Sequence, residues 1–302
     1  MSIDDGRLAS MSPERRALFE RLQASRAKKA SSSPASPIFP LRPGPGPGRL
    51  VLLHPSGGAL FCYTPLIRAL RPDIDVIGVV ADPANNDIDV RTRMVVVASR
   101  TLAALNEVTD LARCVLSGWS HGGALAFEIA RQHAEATGNP SSVVLLDCAY
   151  YGWGPVETES TALRNFVYDL SRLAGIAETK ISAVLDGADP SCIGLRGLLE
   201  RLGVSIDLTD AELAARYEIF RACSGCLGQY KPAGTFPGPV TMIAAPPFED
   251  KEGIWRAVST GPYRAITLPG DHYSLFNPDV LPILVSAIHE AADAMVATRR
   301  WS

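Results

Sequence analysis

The chain lacks most features that would mark an unusual class of protein. Its 302 residues carry 29 Lys and Arg against 32 Asp and Glu, a formal net charge of -3, so no positive excess points to nucleic acid. No apolar run is long enough to span a bilayer, which speaks against a membrane protein. The N-terminus, MSIDDGRLASMSPERR, holds no apolar segment of the signal-peptide kind. Six cysteines at irregular spacing do not make a disulfide framework in a chain this long, and a reducing cytoplasm is the expected setting. Cys223 and Cys226 form one C-x-x-C, with no second pair and no histidine cluster nearby in sequence. They fall in RYEIFRACSGCLGQY, which reads as the late part of a helix, so buried thiols are expected rather than a redox or metal pair. No internal repeat is present.

What is present divides at about residue 48. Residues 1–48 carry eight Lys/Arg and four Asp/Glu, leaving the rest of the chain near -7. Within them, MSPERRALFERLQASR predicts a short helix with Ser12 as N-cap and Pro13 at the first helical position. SSSPASPIFPLRPGPGPG then reads as a proline-stiffened linker. From Arg49, short apolar runs alternate with helical patterns: strands over 49–54, 75–81, 114–118, 142–147, 240–245 and 263–268, and helices over 59–70, 92–105, 122–136 and 278–300. Such alternation predicts an α/β fold, a mostly parallel sheet covered by helices on both faces. The alternation lapses between Asp147 and Val240, where a helical insertion of about ninety residues is expected, since a structureless loop of that length is improbable in a compact domain.

The most informative stretch is CVLSGWSHGGALAFEIA, residues 114–130. A strand, then Gly-x-Ser-x-Gly, then a helix is the layout of a nucleophile elbow. The serine occupies a sharp, strained turn, where flanking side chains would collide with strand and helix; Gly118 and Gly122 avoid this. The turn would lift Ser120 Oγ to the carboxyl edge of the sheet, with the N-terminus of the next helix aimed at it.

A serine needs a base, and in this layout the partners follow in the order Ser, acid, His. Of five histidines, His272 in LPGDHYSLF is the one that follows a late strand on the correct edge; His54, His121, His133 and His289 are placed elsewhere. Two carboxylates compete for the acid: Asp147, closing the strand SVVLLD, and Asp250, after VTMIAAPPFE. Asp271, adjacent to His272, is discounted because neighbours in sequence seldom reach the ring's far nitrogen. An oxyanion hole would take the backbone N–H of His121 and one N–H from the loop HPSGG, where Pro55 has none and Ser56 is therefore the expected donor.

LVLLHPSGGALFCYTPLIRAL, GWSHGGALAFEIARQ, VVLLDCAY and LPGDHYSLFNP, in this order, resemble the thioesterase domains that release chains from nonribosomal peptide synthetases and polyketide synthases, over roughly residues 49–298. The resemblance implies an α/β-hydrolase fold, a triad of Ser120, Asp147 and His272, and a lid over about 150–235. It implies acyl release from a carrier protein's phosphopantetheine arm through an acyl-serine, by hydrolysis or cyclisation, with no cofactor and no metal. Residues 11–26 resemble linker helices between synthase modules. No carrier motif precedes the domain, which suggests a free-standing enzyme acting in trans, with residues 1–48 helping to dock. His121 departs from the small or aromatic residue usual beside the nucleophile. The rival readings are an esterase, cyclase or lyase on a soluble intermediate, and a non-catalytic binder of acyl chains.

Overall fold

The computed structural model describes residues 36–149, 157–187, 190–246 and 249–298. The helix expected over 11–26 lies outside them. Seven strands among the described residues form one sheet: β1 (Ile38–Arg42), β2 (Arg49–Leu53), β3 (Asp75–Val79), β4 (Cys114–Trp119), β5 (Ser142–Leu146), β6 (Val240–Ala244) and β7 (Tyr263–Thr267). Their spatial order is β1-β3-β2-β4-β5-β6-β7, antiparallel between β1 and β3 and parallel elsewhere. The chain leaves β2 to lay β3 on one side, then returns to lay β4 on the other. That reversal opens a crevice at the carboxyl ends of β2 and β4, where Leu53 pairs with Gly118.

The strands read as continuous apolar runs because both faces are covered. Along β2 the side chains alternate between two cores. Leu50 and Leu52 face α1 (Thr64–Ala69) and α9 (Leu281–Thr298), meeting Leu66, Leu284 and Ile288. Val51 and Leu53 face α2 (Arg93–Asn106) and α3 (His121–Thr137), meeting Met94, Ala98 and Leu125. Each such buried aliphatic side chain contributes roughly 1.5–3 kcal/mol.

The sheet begins earlier than the composition suggests. Residues 38–42, read above as linker, are the edge strand β1. Phe39 and Leu41 are buried, and Pro40 is tolerated because an edge strand need not donate on both sides. The Arg42 guanidinium then donates to the carbonyls of Ile67, Leu70, Arg71 and Ile74, closing the open C-terminal end of α1.

Between β5 and β6 stands the expected helical insertion, made of α4 (Glu159–Leu173), α5 (Glu178–Asp186), α6 (Pro190–Leu202, broken at Gly194) and α7 (Asp210–Gln229). It has its own core of Phe166, Val167, Ile181, Leu198, Leu202, Leu213 and Phe220. A capping box between Thr209 and Glu212 starts α7. Cys223 and Cys226 are both buried on this helix, and burial pushes the Cys223 thiol up to about 12, as expected of unreactive thiols. A further helix, α8 (Glu249–Ala257), separates β6 from β7. No helix among the described residues is long and apolar enough to cross a membrane.

Candidate active site

Ser120 follows the last residue of β4 and precedes the first residue of α3. Its backbone sits at φ 57°, ψ -123°, a conformation rarely adopted by a side chain-bearing residue. Hydrogen bonds on both sides hold it: the Ser120 amide donates to the Leu146 carbonyl (3.0 Å) and the Gly123 amide to the Ser120 carbonyl (3.0 Å). The glycines are required by contact. A Cβ on Gly118 would lie 2.2 Å from the Gly122 carbonyl carbon, and one on Gly122 would lie 2.4 Å from the Leu53 carbonyl oxygen. Strand β4, helix α3 and the end of β2 therefore pack main chain against main chain, and the strain at Ser120 is held by its neighbours.

Asp147 follows β5 and is also strained, with φ 42°. Its carboxylate is buried, with the side chain 1% exposed. Oδ1 accepts from the Ala245 amide just past β6 (3.2 Å), and Oδ2 lies 2.5 Å from His272 Nδ1. Asp147 is thus in direct contact with the imidazole. Asp250 belongs to the first turn of α8. Asp271 has another role: it accepts from the amides of Tyr273 (2.9 Å) and Ser274 (3.1 Å), shaping the loop, and pairs with Arg172 of α4.

The His272 ring leans on Trp119, with centroids 4.8 Å apart, and its side chain remains 31% exposed. Trp119 in turn meets Tyr273 and Phe276 edge-on. An aromatic wall thus sets the ring's plane while Asp147 sets its rotation.

The other histidines are separated from this pair. His289 accepts from the Arg71 amide (3.1 Å), and His133 is buried on α3. His54 and His121 are buried and stacked on each other, centroids 5.3 Å apart. Desolvation holds His54 down to about 4, against its bond to the Pro55 carbonyl. Desolvation, then the neighbouring His54, hold His121 down to about 3. Both rings are neutral near pH 7. Together with Cys223 they place three potential metal-ligating atoms within 4.8 Å of one another, all three buried, and burial raises the thiol against the opposing Arg93 guanidinium. The unusual His121 side chain therefore points into packing, and what it offers the crevice is its main chain. Among the described residues neither the Ser56 amide nor the His121 amide is engaged by a main-chain acceptor.

A cavity of about 210 Å³ opens beside Trp119 and the loop Pro55–Gly57, and is lined on the far side by α4 of the insertion. Phe166, Asp169, Leu170 and Leu173 face it, the i, i+3, i+4, i+7 stripe of one helix. Sequence reasoning missed these residues, and it missed the ties between α4 and the His272 loop. Arg172 pairs with Asp271 and lies 5.0 Å over the Tyr273 ring, while the Tyr273 hydroxyl donates to Asp169 (3.2 Å). The available signal was one acid, Asp169, inside an otherwise apolar stripe.

A doubly covered parallel sheet with an elbow serine after β4, and an acid–imidazole pair after β5 and β7, defines an α/β-hydrolase. Within that class the chain belongs to the thioesterase domain family, whose profile matches residues 48–292. It is 33% identical over 108 residues to the thioesterase frbE of Dothideomycetidae sp. (strain 11243), covering 34% of this chain and 41% of that one. It is 24% identical over 279 residues to a dimodular nonribosomal peptide synthase of Bacillus subtilis (strain 168), covering 87% of this chain and 11% of that one. The chain thus spans less than half the length of these relatives. The RedJ thioesterase from the prodiginine biosynthetic pathway of Streptomyces coelicolor superposes with a TM-score of 0.58 at 21% identity, covering 86% of this chain and 96% of that one.

Proposed function

We propose that the protein is a serine thioesterase that releases an acyl, peptidyl or polyketide chain from the phosphopantetheine thioester of a carrier protein, in the cytoplasm and without a cofactor. The observation that carries the reading is the Asp147–His272 contact at the edge of the sheet where the elbow presents Ser120. Ser120 Oγ attacks the thioester carbonyl while His272, on the nitrogen facing away from Asp147, takes its proton. Asp147 holds the imidazole in the needed tautomer and stabilises the imidazolium. The amides of Ser56 and His121 donate to the oxyanion, each worth on the order of 3 kcal/mol in the transition state. His272 returns the proton to the departing thiol. Water, or a nucleophile on the chain itself, then releases the acyl group by the same steps in reverse.

Membership of the thioesterase family supports the thioester substrate, and the synthase relatives support a carrier-protein partner. The helical insertion serves as the lid: α4 lines the cavity beside Trp119 and so narrows the path of water to the acyl-serine. A volume of about 210 Å³ suits a short acyl segment rather than a long folded chain.

The test is intact-protein mass spectrometry after mixing with short acyl and aminoacyl thioesters, with Ser120→Ala alongside. A transient mass gain of one acyl group, absent from Ser120→Ala, is expected. Turnover that persists in Ser120→Ala without an adduct would overturn the acyl-serine mechanism in favour of a lyase or cyclase on the same scaffold.

A further inference from the structure

The cavity beside Trp119 and the loop Pro55–Gly57 holds one carboxylate that the mechanism above does not use. Asp169 lies on α4 and faces a wall of Phe61, Trp119, Phe166, Leu170 and Leu173. Its Oδ1 accepts from the Tyr273 hydroxyl (3.2 Å), and the Tyr273 ring is itself packed edge-on against Trp119 and Tyr168. Among the described residues no cation pairs with it. Arg172, one turn along, is committed to Asp271 and to the face of Tyr273. Arg216 also lies on the cavity wall, but among the described residues the groups that act on Asp169 are His272 and Tyr273.

Burial raises the Asp169 carboxyl to about 6, and the nearby His272 and the Tyr273 hydroxyl act in the opposite direction. The group is therefore ionised in slightly alkaline buffer. A carboxylate with one neutral hydrogen bond in an apolar pocket is an expensive arrangement unless something charged completes it. Aromatic faces around an acid are also the surroundings in which organic ammonium groups are bound.

We propose that Asp169 is a subsite for a positively charged nitrogen on the acyl chain, so that the enzyme selects amine-bearing chains over neutral ones of the same shape. This rests on the cavity being the acyl site of the proposed thioesterase. The ammonium donates to the free oxygen of Asp169 while its hydrocarbon flanks lie against Trp119 and Phe166. The neutral chain of equal size leaves the carboxylate unpaired when it displaces the water there. Because Asp169 is placed by α4 and by the His272 loop through Tyr273, a bound amine also completes the contact between insertion and catalytic loop.

The test separates binding from chemistry. Ser120→Ala protein is titrated by calorimetry at pH 8 with pantetheine thioesters in matched pairs. One member carries an ammonium group two to five carbons from the carbonyl, the other a methyl group in its place. For at least one chain length the amine is expected to bind about tenfold tighter or more. In Ser120→Ala/Asp169→Asn that preference should shrink to below about twofold, with the methyl partner unchanged. Equal binding of every pair, or a preference that survives Asp169→Asn, overturns the subsite. So does an equal loss for both partners, which would make Asp169 a positioning residue for the His272 loop. Adduct formation on the wild-type protein is read separately. An intact amine preference with no wild-type adduct would strike the acyl-serine mechanism and leave the subsite standing, and the opposite result would do the reverse.

Discussion

The Tyr63 hydroxyl accepts from the Trp119 amide at 2.7 Å and donates to the Leu53 carbonyl at 2.7 Å. One fully buried oxygen thus joins the end of β2, which leads into the loop bearing Ser56, to the residue before Ser120. Both elements of the proposed oxyanion hole depend on this tie. Tyr63→Phe leaves a buried amide and carbonyl unpaired, a cost of about 1–3 kcal/mol. The expected result is a melting temperature lower by roughly 3–10 °C and a kcat reduced by more than the KM. Unchanged kcat in a destabilised variant would show that the tie serves folding alone.

Asp147→Asn keeps the shape of the site but removes the charge and presents an amide where His272 needs an acceptor. On the proposed mechanism kcat/KM should fall on the order of 10³–10⁴-fold, with little change in melting temperature beyond about 3 °C. Asp250→Asn should remain within about twofold of wild type. Steady-state kinetics on one thioester substrate, measured on both variants, decides between the two acids.

His54 and His121 make the fold sensitive to mild acid. Both rings stay neutral in the folded protein down to about 4 and about 3, whereas in the unfolded chain they titrate near 6.5. Below that pH the unfolded chain takes up protons that the folded one refuses, so stability falls as pH drops from about 6.5 toward 4. The slope approaches about 1.4 kcal/mol per pH unit for each ring. Asp169, raised by burial to about 6, binds its proton more readily in the folded state and opposes part of this loss over the same window. Urea denaturation at pH 7.5, 6 and 5 should show the decline. His121→Phe should flatten it, because the His121 Nδ1 is buried without a hydrogen-bond partner and the main-chain amide is retained. An equally steep decline in His121→Phe would rule out that ring as the source.

Glu128 anchors the insertion to the sheet layers. It is fully buried on α3, pairs with Arg131 (2.7 Å), and accepts from the Tyr230 hydroxyl just after α7 (2.7 Å). Removing Glu128 takes from the buried Arg131 guanidinium its buried partner and leaves it only the exposed Glu135, so Glu128→Ala should cost about 3–5 kcal/mol. The second acid on Arg131, Glu135, is 73% exposed, and Glu135→Ala should cost under about 1 kcal/mol. Thermal melts of the two variants side by side test the contrast.

The strands and the elbow were legible in the sequence for a local reason. A parallel strand buried on both faces must be a short apolar run, and β2, β4, β5 and β6 are such runs. Gly118 follows from its contact with Gly122 four residues on, a local one, whereas Gly122 is required by the end of β2 at Leu53. β1 was not legible, because IFPLR sits among prolines and glycines and its order comes from partners far along the chain: β3 in the sheet and the carbonyls closing α1. His272 could be found by chain order, since it follows a late strand. Its acid could not be chosen from the residues alone, because Asp147 and Asp250 both stand past strand ends on the same edge.

The layering, the place of the elbow and the edge of the sheet where chemistry could occur follow from the order of residues along the chain, since each depends on hydrophobic period and short-range packing. Three relations come only from the folded chain: Asp147 meets His272, the His121 side chain is buried away from the crevice, and Asp169 of α4 lies beside Trp119 and Tyr273. Those relations join residues about 100 positions apart, or more, in the case of Asp169 with Tyr273 and Asp147 with His272. No local period encodes such distances. The pairing of β5, β6 and β7 brings Asp147 to the His272 loop, and the insertion, packed against that loop, brings Asp169 to Tyr273.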